Sequence, residues 1–284
     1  MKIKFCFLLL LMAGLSFAQS KQFIYEYRFK MDSLNRDQSE TENMVLLTSP
    51  KGSIFYSKVG YVHDSVMTTT IKNAKVTQNN HFDFTDLKQP KIGFEVTKSY
   101  PDYKIMLKRS IGSTRLGIAN DKKIEWKISN EKSKVLGYDV QKATAKWRGR
   151  NWVAWFAPEI PLQDGPYEFS GLPGLIVKIE DSKGDHSFNL IATKNITATE
   201  EYSSMKPREI PVSEDKFRKL WKEYKEDPVK DMRQMSVSAS GAKVVAFSFG
   251  GKTYTPEEMM KETEKNRKEE LKKINNFLEL DLYR

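Results

Sequence analysis

The chain has 284 residues, of which 39% are hydrophobic and 30% charged, with a net charge of +10. Aromatic residues at 12% exclude a disordered chain, which lacks the large apolar groups needed to offset chain entropy. One cysteine and three histidines exclude a disulfide scaffold, a zinc finger and an iron–sulfur cluster, and imply no metal or cofactor.

The N-terminus predicts export. Lys2 and Lys4 precede an apolar run, Phe5 to Phe17, and Ser16 and Ala18 place small residues before a cut ahead of Gln19. The run is shorter than the ~20 residues that span a bilayer, so residues 1–18 read as a cleaved signal peptide rather than an anchor. Cys6 lies inside that run, which leaves residues 19–284 without cysteine. Export without disulfides suits a periplasmic or secreted protein held together by its core. The later sequence predicts no transmembrane segment. The basic balance favours anionic surfaces, and no nucleic-acid recognition motif is present.

Period-two alternation then begins. Phe23, Tyr25, Tyr27 and Phe29 share one strand face, and Glu26, Arg28 and Lys30 lie on the other. Residues 31–41 read as a loop. Further strands are expected at 43–48, 53–59, 65–71, 81–85, 91–98, 102–109, 113–118 and 123–129, short segments bounded by Gly, Pro, Asn or Asp. Residues 137–147 and 152–157 bracket Arg148-Gly149-Arg150-Asn151, a hairpin turn in which Gly149 supplies positive φ. Residues 158–166 read as a connection, and 174–180 and 186–193 pair around Asp181–Asp185. A helix is expected near 213–226, where Phe217, Leu220, Trp221 and Tyr224 form a stripe ending before Pro228. A strand at 243–249 precedes a second helix near 255–278, opened by a Thr255-Pro256-Glu257-Glu258 capping box. Closely spaced strands without intervening helices predict one mainly β (α+β) domain over 19–284. Its expected form is a large curved antiparallel sheet or half-barrel with C-terminal helices packed on the concave face.

Leu172-Pro173-Gly174-Leu175 satisfies a type II turn, with proline presetting φ and glycine supplying the positive φ that follows. Gly171 is expected to let backbone or a ring pass closely. The string Gly171, Leu172, Pro173, Gly174, Leu175 and Ile176 resembles the signature of the GLPGLI family, exported proteins of the Bacteroidetes lineage. The likeness extends to Gly137-Tyr138, Gln141-Lys142-Ala143, Arg148-Gly149-Arg150, Ala154-Trp155-Phe156, Ile160-Pro161, Gly165-Pro166 and Phe169. The resemblance implies an exported protein of uncharacterised activity and supplies no catalytic residues to map. Relatives often carry a cysteine where this chain has Val140, so no thiol role carries over.

Two site readings follow. In the first, Trp152, Trp155, Tyr167 and Phe169 line an apolar pocket rimmed by Arg148 and Arg150, in a non-enzymatic envelope or secreted protein. A lipid, a peptide or an envelope protein would be the partner. The competing reading makes the rings core, with the arginines reaching out to water. In the second, Asp164, Glu168, Glu180 or Asp181 pair as acid and base of a hydrolase acting on envelope or host polymers. Against this, such acids are commonly turn formers and surface groups. His63, His81 and His186 show no spacing that demands convergence, and Ser170 has no base within sight. A third possibility is an interaction role through an uncovered sheet edge.

Overall fold

The computed structural model describes residues 20–77, 87–196, 208–238, 247–249 and 252–284. The expected signal peptide, the strand at 81–85 with His81, and residues 243–246 lie outside them.

The chain folds as a 12-stranded open antiparallel sheet with a few helices. Two meanders build it. Strands β1 (Lys21–Phe29), β2 (Glu40–Ser49), β3 (Gly52–Ser57), β4 (Glu95–Ser99), β5 (Lys104–Ile111) and β6 (Thr114–Asn120) lie side by side in chain order. So do β7 (Lys127–Val135), β8 (Tyr138–Trp147), β9 (Arg150–Ala157), β10 (Leu175–Asp181) and β11 (His186–Asn195). Antiparallel pairing of β1 with β11 joins the halves, Tyr27 lying opposite Phe188. The short β12 (Ile210–Val212) adds to β6 in parallel, the one parallel pair among the described residues. It was not expected from the sequence. A separate two-stranded pair holds β13 (Phe247–Phe249) against β14 (Lys252–Tyr254).

The alternation in β1 places Phe23, Tyr25, Tyr27 and Phe29 in the main core, each at most 2% exposed. Tyr27 stacks on Phe188 with ring centroids 4.2 Å apart. Strand β2 is buried on both faces: Met44 and Leu46 face the main core, while Val45 and Leu47 join Tyr56 and Ile196 in a second cluster. That second face is covered by α1 (Lys58–Thr77), where a strand over 65–71 was expected. Ser57 explains the difference, because its Oγ accepts the Gly60 N–H at 2.8 Å and starts a helix directly after β3. The β-branched run behind it then follows the nucleated helix, since strand preference is weak against context.

Helix α2 (Glu214–Glu226) occupies its expected place, with Ser213 accepting from Lys216 N and Phe217 fully buried. An unforeseen α3 (Lys230–Ser238) follows. Helix α4 (Pro256–Lys273) has the expected capping box but buries no residue and stops before 278. Its end is decided by tertiary bonds: the N–H groups of Asn275 and Asn276 both donate to Met31 O at 3.1 Å. Residues beyond it run as an irregular strap in which Leu278 and Leu282 enter the core. The strap and α2, rather than α4, therefore supply the C-terminal packing on the sheet. Among the described residues no helix is long and apolar enough to cross a membrane.

At one end of the sheet β7 is exposed along nearly its whole length. Lys127, Lys132 and Lys134, together with a register shift between Ile128 and Lys132, discourage pairing with another strand.

Candidate functional site

The connection between β9 and β10 is where the signature sits, and it is not a surface loop. Asp164, Gly165, Pro166, Tyr167, Glu168 and Phe169 are all buried. A buried loop must find partners for its polar groups, and here side chains provide them. Lys98 Nζ bonds Asp164 and donates to Gly165 O at 2.7 Å and Phe169 O at 3.2 Å. Ser53 and Tyr100 donate to the other Asp164 oxygen at 2.6 and 2.5 Å. Glu168 accepts from Arg148 at 3.0 and 3.1 Å and from Trp147 Nε1 at 3.0 Å.

The six residues expected to form a pocket and its rim are placed differently from that expectation. Trp152, Tyr167 and Phe169 are at most 1% exposed and pack in the main core, Trp152 meeting Phe169 at 4.7 Å between ring centroids. Trp152 also touches a cleft of about 630 Å³ beside Trp126 and Lys146. Trp155 is half-buried, out of phase with Trp152, and lies under the Lys142 ammonium. Arg148 and Arg150 are not a rim: they are 5% and 6% exposed. Burial opposes the Arg148 charge, but the adjacent Glu168 and its hydrogen bonds hold the guanidinium pKa above its ordinary value. Arg150 reaches Asp181 at 3.0 Å, Asn276 Oδ1 at 2.7 Å and Phe277 O at 2.5 Å. The arginines are drawn inward by the acceptors that meet them, Glu168 and Glu214 for Arg148, and Asp181, Asn276 and the Phe277 carbonyl for Arg150.

The four acids are likewise not simple surface groups. Asp164, Glu168 and Asp181 are buried, and Asp181 accepts the N–H groups of Asp185 and His186 as well as Arg150. Glu180 stays half-buried beside Lys178. His186 is buried between Tyr27 Oη and Asn276 O, and burial pushes its pKa down to about 3, with Arg150 adding to the effect. His63 lies on α1 beside Asp64. Among the described residues no group of three or more His, Cys, Asp or Glu is placed to hold a metal ion.

The signature departs from its expected turn. Gly174 N–H donates to Leu172 O, two residues back, and Leu175 N–H donates to Ile160 O. That closes a γ-turn on Pro173 instead of a type II turn. Gly174, at φ +152, is the site of close approach: a Cβ there would sit 2.3 Å from Ala157 O. Gly171, at φ +92, has nothing within 4 Å of where a Cβ would stand, so no ring or backbone occupies that side of it.

What Gly171 faces is open space. With Ser170 and Gln163 it lines a cleft of about 780 Å³. One wall is the β4–β5 turn and the start of β5: Pro101, Asp102, Tyr103, Lys104 and Ile105. The other is the β6–β7 connection: Asp121, Lys122, Lys123 and Ile124. Gly171 N–H donates to Gln163 O at 2.9 Å, and Trp126 Nε1 donates to Ser170 O at 2.9 Å, which fixes this corner. Burial and the charge of Asp164 raise the Tyr103 pKa to about 12, so its phenol stays protonated. The sequence predicts strands over 102–109 and 123–129, but not that their starts would face each other across a cleft far along the chain from the signature. The Pro101-Asp102 turn signal was visible, but not what it would face.

The family model described as "Protein of unknown function (Porph_ging)" matches residues 147–178, from the end of β8 into β10. No curated protein matches the chain. A solved structure of PNGF-II in a P21 crystal form is similar at a TM-score of 0.50 and 15% identity, over 72% of this chain and 33% of that one. A C2 form gives 0.46 and 16%, over 69% and 31%. This chain thus spans about a third of the length of PNGF-II. At such identity the P21 likeness concerns the sheet fold alone.

Proposed function

We propose that this is a non-enzymatic, exported protein of the cell envelope or the secreted fraction, of the GLPGLI type over most of its mature chain, that acts by binding at the cleft beside its signature. One observation carries the reading. The chain buries six consecutive residues, Asp164 to Phe169, and then delivers Ser170 and Gly171 to the wall of a cleft of about 780 Å³. Supporting it, Asp164, Glu168 and Asp181, three of the four acids considered for a hydrolase, are engaged with Lys98, Arg148 and Arg150 inside the protein. An apolar ligand held among Trp152, Tyr167 and Phe169 would have to displace core side chains, whereas the cleft needs no rearrangement.

A photo-crosslinking residue placed at Lys123 tests this in cells, against the same residue at Lys183 on the β10–β11 hairpin. Both positions are exposed. Discrete adducts from position 123 and none from 183 are expected, with a mature N-terminus at Gln19. Equal or absent labelling at the two positions counts against a binding cleft, and an uncleaved N-terminus counts against export.

A further inference from the structure

We infer that the ligand of this cleft is a neutral, hydroxyl-rich molecule of the saccharide class, an inference that rests on the cleft being the binding site. The charges of the lining carry it. Lys104, Lys122 and Lys123 stand against Asp102 and Asp121, and Lys122 is also paired with Glu214 at 3.2 Å. Among the described residues Lys104, Lys123, Asp102 and Asp121 have no ion pair. With Lys122 set against Glu214, the walls present two cations and two carboxylates without ion-pair partners, a balanced set that favours neither a strong anion nor a strong cation.

An apolar ligand fits no better, because covering those four charges without offering hydrogen bonds carries a heavy desolvation cost. A hydroxyl group meets both needs, since each one donates and accepts and can bridge an ammonium to a carboxylate. The remaining groups complement it: the protonated Tyr103 phenol, the Ser170 hydroxyl and the Gln163 amide. Pro101 and Ile124 provide apolar surface for the C–H faces of a sugar ring. Gly171 leaves the corner free of any side chain.

Titration calorimetry of the full chain tests this with neutral disaccharides and short oligosaccharides, beside inorganic phosphate, spermidine and phosphatidylglycerol vesicles. The expected result is binding by at least one saccharide at millimolar concentration or tighter, weakened about tenfold or more in Asp121→Ala/Lys123→Ala. The urea midpoint of that variant should equal the parent's, and Lys216→Ala/Lys219→Ala on α2 should bind as the parent does. No saccharide binding at millimolar concentration overturns the inference, as does binding that survives the cleft variant. If phosphate, spermidine or vesicles bind instead and the cleft variant abolishes it, the saccharide class falls while the cleft reading stands. If position 123 also gives no specific crosslink, both fall.

Discussion

The Lys98 ammonium on β4 and the Asp164 carboxylate between β9 and β10 form an ion pair in which neither side chain is exposed. The pair bridges the two meanders away from the β1–β11 seam. Burial pulls the lysine pKa below its ordinary value, and the Asp164 carboxylate opposes that fall. Removing one partner of such a pair leaves an uncompensated buried charge.

Lys98→Met should therefore destabilise the protein by about 3–5 kcal/mol, read from urea unfolding. Lys98→Met/Asp164→Leu should recover part of the loss, because it removes both charges. A single variant as stable as the parent would refute the bridging role.

Stability should fall on mild acidification. His186 titrates at about 3 in the folded protein, below its ordinary value of 6.5, so the unfolded chain binds more protons between these two values. Stability then rises with pH across that window and is lost as pH falls from about 6.5 towards 3, by at most about 1.4 kcal/mol per pH unit from this one group. Asp185 and Glu214, whose pKa values are lowered although burial opposes it, by Arg36 and by Arg148 respectively, add losses below the ordinary carboxylate range. Melting temperatures across this range should show a shallower slope in His186→Gln. An unchanged slope would remove His186 from the account.

The two signature glycines should differ. Gly174→Ala forces a Cβ against Ala157 O at 2.3 Å as well as straining the backbone, whereas Gly171→Ala meets only an unfavourable φ. The latter should cost about 1–2 kcal/mol and the former clearly more, as measured by chemical denaturation. Equal losses would contradict the close approach at Gly174.

Deleting residues 276–284 should cost the native packing as a whole. The deletion removes Asn276 and the Phe277 carbonyl from Arg150, Glu279 from Tyr167 and Arg109, and the Phe277–Tyr283 stack. Near-ultraviolet circular dichroism should collapse while far-ultraviolet signal persists, with binding of a hydrophobic dye. A cooperative transition retained in the truncated chain would show that the strap is dispensable.

Much of the sheet was legible because strand alternation and turn chemistry are local. The period-two run of β1 and the hairpin around Asp181–Asp185 form as read. Arg148-Gly149 makes a two-residue turn with φ +53 and +78, the left-handed pair that hairpins demand, and Arg150 and Asn151 already belong to β9. Helix α1 was not legible, because the β-branched residues over 65–71 look like a strand and the Ser57 cap that starts the helix is a single-residue signal. The candidate site was less legible still. Arg148 and Arg150 look like a solvated rim in sequence, and only Glu168, Asp181 and Asn276, brought from elsewhere, turn them inward. Cleft walls from residues 101–105 and 121–124 leave no joint signal along the chain.

Left to itself, the order of residues determined how β1 alternates, which turns reverse β8 into β9 and β10 into β11, and where α2 and α4 are capped, since each depends on neighbours within a few positions. Tertiary structure alone decided that Asp164–Phe169 would be threaded through the core, that residues 274–284 would strap over it, and that Gly171 would border an opening. Those outcomes depend on whether a buried charge finds its counterion, and Lys98 and Asp164 meet only once the two meanders are laid side by side.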